Sequence, residues 1–104
     1  MFEGKYHIIG KMEKNGEVID YTGAGFLENQ TAYFSMVSEY SDGTRFNGFM
    51  VLNDKTGYSA AHDKSKIAYI NIKILKCGKL KAIWATVDAK IKILIKGTEE
   101  WTKI

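Results

Sequence analysis

The chain has 104 residues, a net charge of +3 and a single cysteine. Its hydrophobic content of 45% supplies enough apolar surface to offset chain entropy, which excludes an intrinsically disordered protein. One cysteine excludes an internal disulfide, and we find neither an apolar leader nor a run of about 20 apolar residues that could span a membrane. We therefore expect one domain over residues 1–104, located in the cytoplasm and without a membrane partner.

Turn signals divide the chain into short runs of alternating apolar and polar residues. Asn15-Gly16 and Asp42-Gly43 supply the positive φ angles of tight hairpin turns, and similar signals recur along the sequence. The runs between them predict eight strands, near residues 5–14, 17–27, 31–40, 44–52, 57–62, 66–75, 79–87 and 90–96. Two alternatives stay open: residues 100–104 can add a ninth strand, and the segment 80–95 also fits a helix.

The first hairpin has a register that can be read from its charges. With Asn15-Gly16 as a two-residue loop, Lys14 faces Glu17 and Lys11 faces Asp20. Two oppositely charged pairs on one face support this register, by a few tenths of a kcal/mol each.

A later hairpin is predicted around a glycine turn. With Gly78 in the left-handed conformation, the two strands pair Ile70 with Trp84 on an apolar face. A following turn at Asp88-Ala89 then places Trp84 opposite Ile93.

The fold class follows from the number and shortness of the strands. Eight short consecutive strands cannot bury their apolar faces as a flat open sheet. We expect an all-β protein, an antiparallel up-and-down meander that closes into a small barrel or a two-layer sheet. A barrel of eight strands is filled by its own side chains or holds one small ligand, and we expect a mostly filled interior. If a cavity exists, the candidate lining residues are Tyr6, Tyr21, Phe34, Met36, Ile72 and Trp84.

The two halves of the chain carry opposite charge. Residues 1–52 hold four basic and seven acidic side chains, whereas residues 53–104 hold eleven basic and five acidic ones. The predicted register also sets Lys81 opposite Lys96, which is an unfavourable like-charge pair. Outward-facing lysines fit either a solvated face that protects against aggregation or a site for an anion or nucleic acid. The candidates for such a site are Lys73, Lys79, Lys81, Lys90, Lys92 and Lys96.

Catalysis and metal binding have little support in the sequence. His7 and His62 have no companions at metal-ligand spacing. Cys77 lies in a lysine-rich turn, but no neighbouring base marks it as a nucleophile. The pair Glu99-Glu100 is interpreted as part of a solvated tail. We expect no enzyme activity, no metal and no cofactor.

Two segments resemble known small barrels. The opening Phe2-Glu3-Gly4-Lys5-Tyr6-His7-Ile8 resembles the Gly-x-Trp/Tyr start of the first strand in lipocalin-like (calycin) barrels. The segment Tyr21-Thr22-Gly23-Ala24-Gly25-Phe26 is similar to the GrlR-type regulators, small barrels that sequester a transcriptional activator, although that family's Gly-Gly-Asp turn and acidic partner-binding loop are missing. The resemblance implies barrel-closing roles for Gly4 and Tyr6.

These observations favour a non-enzymatic binding or regulatory protein of bacterial type. Its partner is expected to be another protein, or a small apolar ligand in a calycin-like barrel. The first and last strands carry no proline to block edge pairing, so a homodimer is an open possibility. The alternative is a nucleic-acid-binding module that uses the basic strands of the second half.

Overall fold

The computed structural model describes all 104 residues and contains eight strands and no helix. The strands are β1 (Gly4–Lys14), β2 (Glu17–Asn29), β3 (Phe34–Tyr40), β4 (Arg45–Leu52), β5 (Thr56–Asp63), β6 (Lys66–Ile74), β7 (Leu80–Asp88) and β8 (Ile93–Lys103). Each strand pairs antiparallel with the next one in sequence, and β8 returns to pair with β1. The predicted all-β meander is confirmed, and it closes as a barrel rather than a two-layer sheet.

Two alternatives left open by the sequence are resolved by this order of strands. The segment 80–95 forms β7, a turn and the start of β8, so the helical interpretation is wrong. Residues 100–103 continue β8 and do not form a ninth strand. No helix in the structure is long and apolar enough to cross a membrane.

Closure of the barrel joins the first strand to the last. Residues 6–13 of β1 pair with residues 96–103 of β8. Neither strand presents a free edge, so the edge-pairing route to a homodimer is not available in this fold. The homodimer itself stays a prediction.

In two hairpins, the residues of the turn were enough to predict how the strands pair. Lys14 pairs with Glu17 and Lys11 with Asp20, as predicted, and Asn15 takes a positive φ of 52° in the turn. The pairing of Ile70 with Trp84 is also confirmed.

The predicted register between β7 and β8 is wrong by four residues. The connection occupies residues 89–92, with Lys92 at a φ of 57°, so that Trp84 pairs with Gly97 instead of Ile93. This register sets Lys81 opposite Glu100 instead of Lys96. It therefore replaces a repulsive pair with an attractive one, and Glu100 also accepts a hydrogen bond from Lys79 Nζ at 3.0 Å.

The two ends of the barrel differ. One end, here called the closed end, receives the N-terminal segment, where the Phe2 ring packs edge-on against Phe34 with centroids 6.2 Å apart. The Tyr6 hydroxyl donates to the Phe2 carbonyl oxygen at 2.6 Å, and the buried Tyr6 ring packs against Trp101. The other end, the open end, is formed by the turns at 15–16, 41–44, 64–65 and 89–92.

Candidate binding cavity

The barrel interior contains a cavity of about 620 Å³, lined mainly by hydrophobic side chains. The expectation of a mostly filled interior is therefore wrong. The interior of an eight-stranded barrel is just wide enough for side chains to fill it, but here many inward positions carry small side chains and part of the interior stays empty. The small residues that line the cavity include Ser38, Ala61, Ala68, Ala82 and Thr86, all of them buried.

Glycines on the barrel wall make room for the large aromatic rings. A Cβ atom added at Gly10 would lie 2.6 Å from Cε2 of Tyr21 and closer still to its Cζ and Oη atoms. In the same way, a Cβ at Gly97 would lie 2.6 Å from Cζ2 of Trp84. Because the glycines have no side chain, each ring lies against the neighbouring strand and does not fill the centre of the barrel.

A buried carboxylate lies among these rings. Glu99 projects inward from β8, between the inward positions of Gly97 and Trp101. Its Oε2 atom accepts hydrogen bonds from the hydroxyls of Tyr21, at 2.6 Å, and Tyr40, at 2.9 Å. Its Oε1 atom accepts a third from Trp101 Nε1 at 2.8 Å. Three neutral donors thus fix the carboxylate in one position.

Burial, together with the neighbouring carboxylate, determines how the two tyrosines titrate. Burial raises the pKa of Tyr21 above its ordinary value, and the neighbouring charge of Glu99 and the hydrogen bond to it raise it further. Burial followed by the charge of Glu99 likewise raises the pKa of Tyr40. Both hydroxyls therefore keep their protons and act as neutral hydrogen-bond donors.

Two buried polar atoms have no hydrogen-bond partner within the protein. They are the indole Nε1 of Trp84, which lines the cavity, and Oγ of Ser59 on β5. A buried donor without a partner costs roughly 1–3 kcal/mol. Trp84 itself lines the cavity, but its indole nitrogen is covered by the surrounding protein.

Ionised carboxylates stand at the open end. A hydroxyl hydrogen bond from Thr44, followed by its backbone N–H, lowers the pKa of Asp42. The Ser65 hydroxyl, at 2.8 Å, lowers the pKa of Asp88. Both aspartates line the cavity entrance and carry a negative charge at neutral pH.

Four of the six residues predicted to line a cavity do so. Tyr21, Met36, Ile72 and Trp84 belong to its wall, whereas Tyr6 is buried in the core of the closed end. Phe34 lines a separate hollow at the closed end. The roles of these residues as ligand contacts stay predictions. Gly4 and Tyr6, expected at barrel-closing positions, lie at the start of β1, where Tyr6 pairs with Lys103 of β8.

The six candidate lysines do not gather at one place. Lys90 and Lys92 lie in the turn at the open end, whereas Lys73 lies near the opposite end of β6. Lys79 forms an ion pair with Glu100, the residue that faces Lys81 across the strands. Lys96 is exposed on β8. Lys73 and Lys81 are neighbours across β6 and β7 on the exposed face, and the nucleic-acid alternative stays a prediction.

Glu99 is the residue that sequence reasoning missed. The sequence predicts a last strand that ends at residue 96, which places Glu99 in a solvated tail. The signal that could have identified it is the alternation of Ile95, Gly97, Glu99 and Trp101, which places all four on the inner face once the strand is extended.

No metal-binding group of three or more histidine, cysteine, aspartate or glutamate side chains occurs in the structure. His7 and His62 are exposed, and the Cys77 thiol lies in an exposed turn. A comparison with protein-family models and with curated protein sequences found no match to this chain.

Proposed function

We propose that this protein is a non-enzymatic binding protein that holds one small, largely apolar molecule inside its barrel. The observation that carries the proposal is the cavity of about 620 Å³ with its mostly hydrophobic wall. Small-molecule sites commonly occupy about 300–1,000 Å³ and combine an apolar wall with a few fixed polar groups. The polar groups here are Glu99 and its three donors, Tyr21, Tyr40 and Trp101.

The construction of the wall favours binding. A continuous ring of paired strands surrounds the cavity, so a ligand does not have to order the chain when it enters. The glycine positions that receive the aromatic rings also fix those rings before a ligand arrives. Less of the interaction energy is then lost to ordering side chains and loops.

The same polar groups are poorly suited to acid–base catalysis. A general acid or base is most effective when its pKa lies near the working pH. The pKa values of Tyr21 and Tyr40 are raised above an already high ordinary value, and both hydroxyls are committed to Glu99. Hydroxyls fixed in this way hold Glu99 in place rather than exchange protons with a ligand.

Filling the cavity from inside tests this proposal. Ala61 lines the cavity, whereas its neighbour Ala60 on β5 faces the outside of the barrel. We expect the neutral dye N-phenyl-naphthylamine to bind the wild-type protein saturably, with a rise in its fluorescence. Ala61→Leu should weaken this binding by about tenfold or more, since added methylenes occupy ligand volume. Ala60→Leu is the matched control and should leave it unchanged.

The proposal is contradicted if the wild type does not bind the dye, or if both leucine variants bind it equally well. Thermal unfolding of each variant shows whether it is folded. Ala68→Leu, at the position paired with Ala61 on β6, is a second cavity-filling variant if Ala61→Leu does not fold.

A further inference from the structure

The cavity is acidic although the whole chain is basic. The charged side chains that face it are two lysines and three carboxylates, a net charge of −1, whereas the chain as a whole carries +3. These residues are Lys14, Lys66, Asp42, Asp88 and Glu99; Asp20 also borders the cavity, but its exposed side chain points outward and pairs with Lys11. Low-dielectric walls focus the potential of such groups into the space they enclose, which attracts positively charged molecules.

Glu99 is the most deeply placed of these charges, and no protein cation neutralises it. The structure contains four ion pairs, and Glu99 takes part in none of them. Its partners are the two tyrosine hydroxyls and one indole N–H, all of them neutral. A buried charge without a counter-charge is costly. A cationic ligand would supply the missing partner.

The hydrogen-bonding capacity around Glu99 also matches a cation. A carboxylate offers about four lone-pair positions, and three are used by protein donors. The hydroxyls of Tyr21 and Tyr40 give their only hydrogen to Glu99, so neither has a hydrogen left to donate. The position that remains on Glu99 is therefore an acceptor, and an ammonium group, which only donates, is its complement.

Aromatic rings surround the same place. The Tyr21 ring stands edge-on to Tyr40, with centroids 5.5 Å apart, and to Trp84, at 6.2 Å. Phe46 continues the series at 6.3 Å from Tyr40. Ring faces attract cations within about 6 Å of their centroids, most strongly where water is excluded. All four rings line the cavity.

We infer that the bound molecule is an apolar amine whose protonated nitrogen lies at Glu99, among the rings of Tyr21, Tyr40 and Trp84. Its apolar part lies against the remaining hydrophobic wall, which includes Met36 and Met50. This inference rests on the proposed function and specifies the ligand class for that site. It predicts a preference for cationic over neutral or anionic molecules of the same apolar shape.

Three probes that share one ring system test the inference. They are naphthylmethylammonium, naphthalenemethanol and naphthoate, which carry a positive, a zero and a negative charge at neutral pH. Calorimetric titration should show the ammonium binding about tenfold or more tightly than the alcohol, and the carboxylate binding least. Glu99→Gln should remove the preference for the ammonium while the alcohol still binds. Glu100→Gln, on the outer face of the same strand, should preserve the preference.

Each outcome decides one of the two proposals. If the alcohol binds as tightly as the ammonium, the amine inference is overturned and the proposed function stands. If none of the three probes binds, the proposed function is overturned as well. If Glu99→Gln still binds the ammonium more tightly than the alcohol, Glu99 is not the group that holds the cation. Should that variant not fold, the ranking of the three probes on the wild type still decides for or against a cationic ligand.

Discussion

Gly10→Ala tests whether the glycine positions shape the cavity. Gly10 is buried and pairs with Tyr21 across β1 and β2. Its φ is not in the left-handed region, so alanine is compatible with the backbone there. The added Cβ would overlap the outer half of the Tyr21 ring, whose hydroxyl donates to Glu99. Either the ring leaves its place, or the two strands separate.

The expected cost follows from those two consequences. Overpacking a tight contact costs about 1–3 kcal/mol, and losing a hydrogen bond to a charged group costs about 1.5–3 kcal/mol. Since displacement of the ring relieves part of the overlap, the two costs do not add in full. We expect Gly10→Ala to lower the free energy of unfolding by about 2–4 kcal/mol.

The control for this prediction is the same Gly10→Ala substitution in a protein whose Tyr21 has already been replaced. In a protein that already carries Tyr21→Ala, no ring is present for the new Cβ to meet. Alanine is then the better residue in a strand, and Gly10→Ala should stabilise the protein by about 0.5–1 kcal/mol. Urea unfolding followed by tryptophan fluorescence measures all four proteins of the double-mutant cycle. A Gly10→Ala effect of equal sign and size in both backgrounds would show that the new Cβ atom does not meet the Tyr21 ring.

Two further predictions concern pH and register. Tyrosines in the unfolded chain ionise near pH 10, whereas Tyr21 and Tyr40 in the native state have raised pKa values, so their contribution to stability is complete below about pH 10. Above about pH 10 the native state keeps more protons than the unfolded chain. The free energy of unfolding should then fall by up to about 1.4 kcal/mol per pH unit for each of the two tyrosines. Urea unfolding at several alkaline pH values measures this slope, and an unchanged slope in the double phenylalanine variant would contradict it. In a background without the native cysteine, cysteines at Ile83 and Thr98, which pair on the outer face, should form a disulfide on oxidation. Cysteines at Ile83 and Leu94 should not, and their efficient cross-linking would show that β7 and β8 pair in the other register.

Local turn chemistry explains why much of the fold could be predicted. Asn15-Gly16 fixes both the position and the register of the first hairpin, because a two-residue loop leaves one pairing that suits the charges. The connection from β7 to β8 has no glycine, and a four-residue turn with Lys92 in the left-handed conformation has no comparable sequence signal. The register error therefore arose where that signal is missing.

The candidate site was harder to predict because it depends on non-local features. Acidic residues are rarely buried without a charged partner, so a solvated tail was the ordinary interpretation of Glu99-Glu100. Only barrel closure brings Glu99 to the hydroxyls of Tyr21 and Tyr40, which lie 78 and 59 residues away in sequence. The cavity likewise depends on the summed volume of inward side chains from all eight strands. No single segment of the chain shows that sum.

The two tryptophans report most directly on whether a small molecule binds inside the barrel. Both side chains line the cavity; the indole N–H of Trp101 donates to Glu99, and that of Trp84 is buried without a protein partner. The measurement is a two-dimensional ¹H–¹⁵N titration of labelled protein with N-phenyl-naphthylamine. We expect both indole signals to shift and saturate together, whereas the amides of the outward-facing Tyr58 and Tyr69 hold their positions. Indole signals that stay fixed while those outer amides shift would place the dye on the surface and contradict binding inside the barrel.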